Sequence, residues 1–388
     1  MKVLLTAGGS GGHITPILAV ARELKQLQPD IQLIYVGQRG DQLSDIPAAS
    51  PFIDEVYTVR AGKFRRYHGE GIKQIFDLPT LAKNIRDSVR VVMGILQSYR
   101  LLKKLKPAII FTRGGFVSVP VALGGRLRHI PYITHDSDAI PSLANRIIAK
   151  WAVLHAVALP KEVYSYPSDK TVTVGVPIQS EFHPVDAAQK AAYKQQIGLE
   201  KADKLLFVTG GGNGALSLNN AVAAVVPALL ESYPDLAVVH VAGRLHEVVF
   251  VQKYDELLKA EQRARVIVKG FVTELYAYSG AADVIITRAG ATNLAEFAVQ
   301  HKACIVVANP LLTGGHQLKN VQALVERHAA LSITEQDLLA TPEVLQRTIK
   351  RLLDNSEERQ TLAVQLGKLA HPNAAKELAV LIVKEANR

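Results

Sequence analysis

The chain has 388 residues, 48% of them hydrophobic, and a formal net charge of +10, which allows two domains with sizeable cores and excludes a small stapled scaffold. Its single cysteine, Cys304, excludes a disulfide framework and a cysteine-based metal site, and suits a reducing compartment. No apolar run approaches the length of a spanning helix and Met1-Lys2-Val3-Leu4-Leu5 has no signal-peptide layout, so a cytoplasmic protein without a transmembrane anchor is expected.

In chain order, an apolar strand at Lys2 to Ala7 leads into Gly8-Gly9-Ser10-Gly11-Gly12-His13 and a helix from about Thr15 to Leu27, with Pro16 in its first turn. Strand, glycine loop and helix open a Rossmann-like unit, in which glycines let the backbone close on a ligand and the helix aims its N-terminus at it. The spacing is not Gly-x-Gly-x-x-Gly with a following acid. More of the meaning therefore comes from His13, placed at the carboxyl edge of the sheet where ligands bind in open α/β folds. Strands follow at Ile31 to Val36 and near Val56 to Val59.

Between Arg60 and Lys106, twelve Lys or Arg stand against three acids (Glu70, Asp77, Asp87), an excess of nine that accounts for almost all of the net charge. Apolar residues from Phe64 to Tyr99, among them Ile85, Val89, Val92, Met93 and Leu96, are interleaved with those bases. Such a mixture on helices describes a surface for anionic lipid or another polyanion, with a solvated helical face as the alternative. Few aromatic residues and no recognition motif speak against nucleic acid. Next come a strand at Ala108 to Thr112, the loop Arg113-Gly114-Gly115-Phe116, a short helix after Pro120 and a strand at Tyr132 to Thr134. His135-Asp136-Ser137-Asp138 forms the following loop, and Pro141 to Trp151 reads as helix. Loops of this kind at the strand ends of one sheet are expected to line one cleft.

Near Thr171 to Pro177 the chain leaves the first sheet, and the polar stretch from Gln179 to Ala202 reads as linker and first helix of a second domain. The pattern then restarts with strand Leu205 to Thr209, loop Gly210-Gly211-Gly212-Asn213-Gly214 and a helix from about Leu218 to Ser232. It continues through strand Ala237 to Val241, a helix from about Glu247 to Gln262, strand Arg265 to Val268 and the turn Gly270-Phe271-Val272. Strand Val284 to Ile286 then runs into Gly290-Ala291-Thr292-Asn293-Leu294-Ala295-Glu296. Free backbone N–H groups and the positive end of the helix make its start an anion site, and Glu296, one turn on, suits a ribose. After the strand Cys304 to Ala308 a second polar cluster runs from Gly314 to Asn320. Phosphate, ribose and a third polar moiety together point to a nucleotide sugar.

Taken in order, Gly8 to His13, Gly114 to Pro120, His135 to Asp138 with Pro141 to Arg146, Gly210 to Asn219, Arg288 to Glu296 and His316 to Asn320 resemble the motifs of the MurG-type glycosyltransferases of family 28. These are UDP-N-acetylglucosamine:N-acetylmuramyl-(pentapeptide) pyrophosphoryl-undecaprenol N-acetylglucosamine transferases. The resemblance implies an α/β chain with the GT-B fold, two Rossmann-like domains facing across a cleft. The expected division is 1–175 and 176–371, with the C-terminal helix 372–388 packed back on the first domain. It also implies inverting transfer from UDP-N-acetylglucosamine to lipid I, with no metal or cofactor, at the cytoplasmic face of the cell membrane as a peripheral protein on its anionic leaflet. A relative with another acceptor, a UDP-N-acetylglucosamine 2-epimerase and a non-catalytic nucleotide-sugar sensor are alternatives.

Carried over residue by residue, the resemblance implies donor contacts from Gly211, Gly212, Asn213, Phe271, Val272, Arg288, Ala291, Thr292, Asn293, Glu296, His316, Gln317 and Asn320. Acceptor contacts fall to Ser10, Gly11, Gly12, His13, Gly114, Gly115, Ser118, His135 and Asp138. His13 is the first candidate for the catalytic base and Asp136 the second, while His13 could instead donate to the acceptor phosphate. The chain departs from the pattern at Val176-Pro177-Ile178-Gln179, where many relatives carry Asn-Pro-Val-Arg. It departs again at Gly212-Asn213, where Ser-Gln or Ser-Leu is more usual, and at Asp136, where some relatives carry Glu. Arg288 or Arg244 is the expected compensation for the missing arginine.

Overall fold

The computed structural model describes residues 1–8, 11–41, 45–63, 78–309, 316–341 and 343–388. They form two compact units. The first contains β1 (Lys2–Thr6), α1 (Gly11–Leu27), β2 (Gln32–Gln38), α2 (Asp45–Ala48), β3 (Glu55–Val59), α3 (Leu78–Leu105), β4 (Ile109–Thr112), α4 (Ser118–Leu127), β5 (Tyr132–Asp136), α5 (Leu143–Ile148), β6 (Leu154–Val157) and β7 (Thr171–Thr173). Its strands lie in the order β3-β2-β1-β4-β5-β6-β7, every pair parallel. Both faces of the sheet are covered, so β1 reads as an almost unbroken apolar run: Val3 and Leu5 enter one core, Leu4 the other.

The second unit holds α6 (Ala187–Gln196), β8 (Lys204–Thr209), α7 (Leu216–Ser232), β9 (Leu236–Val241), α8 (Glu247–Leu257), α9 (Ala260–Arg263), β10 (Val266–Lys269), α10 (Leu275–Ala281) and β11 (Val284–Arg288). After these come α11 (Ala291–Val299), β12 (Cys304–Ala308), α12 (His316–Val325), β13 (Leu331–Thr334), α13 (Glu335–Ala340), α14 (Glu343–Asp354) and α15 (Ser356–Gly367). The sheet order is β10-β9-β8-β11-β12-β13, again wholly parallel. Each sheet thus reverses its winding once, between β1 and β4 and between β8 and β11, which is where open α/β sheets bind ligands. Cys304 is a buried core thiol in β12. The last helix, α16 (Ala374–Ala386), belongs to the first unit, with Leu378, Ala379 and Ile382 packed among Ile17, Val20 and Leu24 of α1.

Local departures from the sequence reading have local causes. Helix α1 starts at Gly11 rather than Thr15, because Pro16 lies inside the helix instead of at its first position. Proline has no N–H for the Gly12 carbonyl four residues back, and Arg113 supplies the donor in its place. Strand β6 carries His155 in mid-strand, which broke the apolar pattern; His155 Nδ1 lies 2.8 Å from Thr134 Oγ1 and its ring stacks on Tyr166 at 4.0 Å. The expected helix from Glu247 to Gln262 splits at Leu258 and Lys259, whose backbones are extended.

Candidate active site

In the second unit Thr209 pairs with Thr287 and Arg288 with Val307, so the carboxyl ends of β8, β11 and β12 sit side by side. Gly211 (φ 84°) needs its left-handed conformation. A side chain added at Gly211, Gly212 or Gly290 meets none of the described residues within 4 Å. Gly290 caps α11; Ala291 and Asn293 are half-exposed, and Thr292 and Glu296 are buried behind them. Helix α12 is tied to the same place: Gln317 Oε1 accepts from the Asn309 N–H at 2.9 Å, and Asn320 Nδ2 donates to the Ala289 carbonyl at 3.3 Å. His316 opens that helix, with its side chain outside the described residues. Arg244 lies over the Phe271 ring at 4.5 Å, and Val272 packs half-buried against the core. Asn213 is exposed at the tip of its loop.

Arg288 is turned inward. Its guanidinium is buried, ion-paired with Glu335, and donates to Ser217 at 2.7 Å and to the Val307 carbonyl at 3.3 Å. Burial raises the Glu335 carboxyl, but the hydrogen bonds from Arg288 and Ser217 outweigh it and hold the pKa below the usual range. Glu335 lies 47 positions further along the chain, beyond the reach of a local sequence signal.

In the first unit Thr6 pairs with Thr112 and Thr112 with Thr134, which aligns the carboxyl ends of β1, β4 and β5. His13 is half-buried in the first turn of α1 with Nδ1 3.0 Å from the Gly8 carbonyl. A carbonyl only accepts, so Nδ1 carries the proton and Nε2 keeps the lone pair of the neutral ring. Burial and the Arg113 charge lower the His13 pKa, against the opposing effects of the Gly8 bond and Asp138. Gly115 (φ 80°) is required where it stands: an added Cβ would lie 2.6 Å from the Gly8 oxygen and 3.0 Å from His13 Nδ1. Gly114 (φ 77°) is held the same way against Ser142 Oγ, at 2.9 Å. Arg113, not among the expected site residues, ties the first turn of α1 to the segments after β4 and β5 by donating to the Gly12 carbonyl and to Ser137 Oγ at 2.6 Å. Its signal was its place, directly before Gly114-Gly115 at the end of β4.

Three candidates in this unit turn inward instead. Ser118 is fully buried, donating to the Gly114 carbonyl at 2.6 Å and accepting from Thr112. His135, at the end of β5 and not in a loop, is fully buried with Nε2 2.9 Å from the Gly175 carbonyl, and burial pushes its pKa down to about 3. Asp136 has one oxygen on the Ser142 N–H at 3.0 Å and the other on the Tyr166 hydroxyl at 2.8 Å, and burial raises its pKa. All three shape the loops from within. Asp138 is half-exposed past the strand end, its carbonyl accepting from Tyr164 at 3.0 Å. Gly11 and Gly12 open α1, and Ser10 lies outside the described residues.

Residues 3–156 match the glycosyltransferase family 28 N-terminal domain and residues 205–378 the glycosyltransferase family 28 C-terminal domain. A relative from Bacillus thuringiensis, named UDP-N-acetylglucosamine--N-acetylmuramyl-(pentapeptide) pyrophosphoryl-undecaprenol N-acetylglucosamine transferase 2, is 30% identical over 97% of each chain. A transferase of the same name from Symbiobacterium thermophilum is 30% identical over 99% of this chain and 96% of its own. The crystal structure of Acinetobacter baumannii MurG superposes with a TM-score of 0.68 at 23% identity, covering 99% of this chain and 100% of that one. A structure of S. aureus MnaA with UDP has the same TM-score at 14% identity, over 100% and 97% of the two chains, and so shares the fold. With both family 28 domains matched in order and relatives aligned along almost the whole length, the chain belongs to the family of N-acetylglucosamine transferases named for the lipid-linked muramyl-pentapeptide acceptor.

Proposed function

We propose that the protein transfers N-acetylglucosamine from UDP-N-acetylglucosamine to the 4-hydroxyl of the N-acetylmuramyl unit of lipid I, giving lipid II for peptidoglycan synthesis. The observation that carries this reading is that each sheet has a glycine-loop site at its switch point: open-sided loops in the second unit, and in the first His13 with Nδ1 3.0 Å from the Gly8 carbonyl. UDP-N-acetylglucosamine is an α-glycoside and the new linkage is β1→4, so the acceptor oxygen attacks C1 in line as UDP departs. His13 Nε2 takes the hydroxyl proton, and a lowered pKa keeps that nitrogen free to do so at neutral pH. Asp136 is the weaker candidate, since both its oxygens already accept hydrogen bonds. Backbone N–H groups at Gly212 and Asn213 and at the start of α11 meet the charge developing on the diphosphate, while the Gly211 N–H is taken by Thr209 Oγ1. Glu296 accepts from the ribose hydroxyls, Phe271 and Val272 hold the uracil, and Gln317 with Asn320 and His316 reads the sugar. The reading includes no metal or cofactor.

The first unit also supports a place at the anionic cytoplasmic leaflet. On α3, Ile85, Val89, Val92, Met93 and Leu96 are 38–59% exposed and follow one helical stripe, with Arg86, Arg90, Lys103 and Lys104 along the same helix. Among the described residues no helix is long and apolar enough to cross a membrane, so the association in this reading is peripheral. The test is UDP release from UDP-N-acetylglucosamine with a lipid I analogue as acceptor. Release of UDP with formation of the disaccharide product is expected; turnover only with a different acceptor would overturn the acceptor assignment.

A further inference from the structure

Beneath the glycine loop of the second unit lies a hydrogen-bond chain that the transfer reaction does not use directly. Tyr254 of α8, His240 of β9 and Asn219 in the first turn of α7 are all fully buried. His240 Nδ1 lies 3.0 Å from the Tyr254 hydroxyl and Nε2 lies 3.1 Å from Asn219 Oδ1, while Asn219 Nδ2 donates to the Ala242 carbonyl at 2.7 Å. The carbonyl at the end fixes every role before it. It can only accept, so the asparagine amide points its nitrogen there and its oxygen at Nε2, which must carry the proton; Nδ1 then accepts from the tyrosine. Burial lowers His240 to about 4, which keeps the ring neutral and the direction unchanged at physiological pH.

The peptide at the end of this chain is the seat of the glycine loop. A Cβ at Gly214 would stand 2.0 Å from the Ala242 oxygen, and one at Gly243 (φ 101°) would stand 2.7 Å from the Asn213 oxygen. No side chain intervenes, so the loop moves if the Ala242–Gly243 peptide moves. An apolar trio of the same volume would fill this part of the core without needing partners. What only the polar trio does is hold the Ala242 carbonyl.

We propose that Asn219, backed by His240 and Tyr254, is the positioning residue of the diphosphate loop, holding the Ala242–Gly243 peptide and through it Gly210–Gly214 in the shape that receives the nucleotide diphosphate. The inference rests on the donor assignment above. Calorimetry on the full-length protein with UDP and with uridine as probes separates the two. The wild type is expected to bind UDP more tightly than uridine. In Asn219→Leu, UDP affinity falls about tenfold or more, the equivalent of one lost hydrogen bond, while uridine affinity stays within about twofold, a margin below half of that loss. Tyr254→Phe, which keeps the Asn219–Ala242 bond, lowers the UDP-to-uridine ratio by less, and carries the same comparison if Asn219→Leu does not fold. A folded variant with an unchanged ratio, or with equal losses for both probes, overturns the inference. A wild type that does not distinguish the probes overturns the donor assignment, and the inference falls with it.

Discussion

His13→Gln tests the base at the level of one atom. Gln can still meet the Gly8 carbonyl through its amide nitrogen but has no basic lone pair, so kcat is expected to fall by about 10²–10⁴ with the KM for UDP-N-acetylglucosamine unchanged. The pH profile carries the sign of the pKa shift. Because burial and Arg113 lower the histidine, the acidic limb of kcat lies below the ordinary value near 6.5; a limb above that value would contradict the assignment. Glu296→Ala is expected to weaken UDP by about 10- to 100-fold in calorimetry, from loss of charge-assisted hydrogen bonds, and to weaken 2′,3′-dideoxy-UDP much less. Both proposals rest on a local signal in the sequence: a residue type set at a strand end before a helix. The inward pairing of Arg288 was not legible, for the opposite reason. Its partner Glu335 opens α13, which the sequence places far away and the sheet brings alongside.

Among the elements, α11 and its loop came through the sequence reading intact, while α1 and β5 shifted by a few residues. Those few residues matter. Extending β5 to Asp136 moves His135 and Asp136 from a loop to a strand end, where both are fully occupied holding the chain. Helix α3 makes its prediction as a surface: replacing Val89 and Val92 by Glu is expected to abolish flotation with anionic liposomes while leaving turnover of a soluble acceptor analogue near wild type. Unaltered flotation would reduce the helix to a solvated face. The Arg288–Glu335 pair makes another, since removing one charge strands the other in a largely buried place. Glu335→Gln is expected to cost about 3 kcal/mol in urea unfolding, the change being read as a lower midpoint at unchanged slope.

At the scale of the molecule, buried neutral histidines in both units couple stability to pH. His155 and His240 are lowered to about 4 and His135 to about 3, all chiefly by burial. Unfolded, each titrates near 6.5. The unfolded chain therefore binds more protons below that pH, so stability is full above about 6.5 and is lost as pH falls toward 4 and then 3. Urea midpoints that were equal at pH 7 and pH 4.5 would refute this.

The sequence by itself determined what is written in short range: two restarts of strand, glycine loop and helix, the start of α11 directly after β11 with Glu296 one turn on, and the charge and apolar stripe of α3. Each is a pattern within one element and its flanks, where propensity and periodicity act directly. Only the tertiary structure decided which of the candidates face outward. Parallel pairing set Thr6 beside Thr112 and Thr209 beside Thr287, and this placed Arg113 between the first turn of α1 and the segment after β5, turned Ser118 and His135 into the core, and joined Asn219 to His240 and Tyr254 beneath the glycine loop. Apart from the short-range bonds of Ser118, those contacts link residues far apart in the chain, because buried polar groups take partners wherever the packed sheet delivers them.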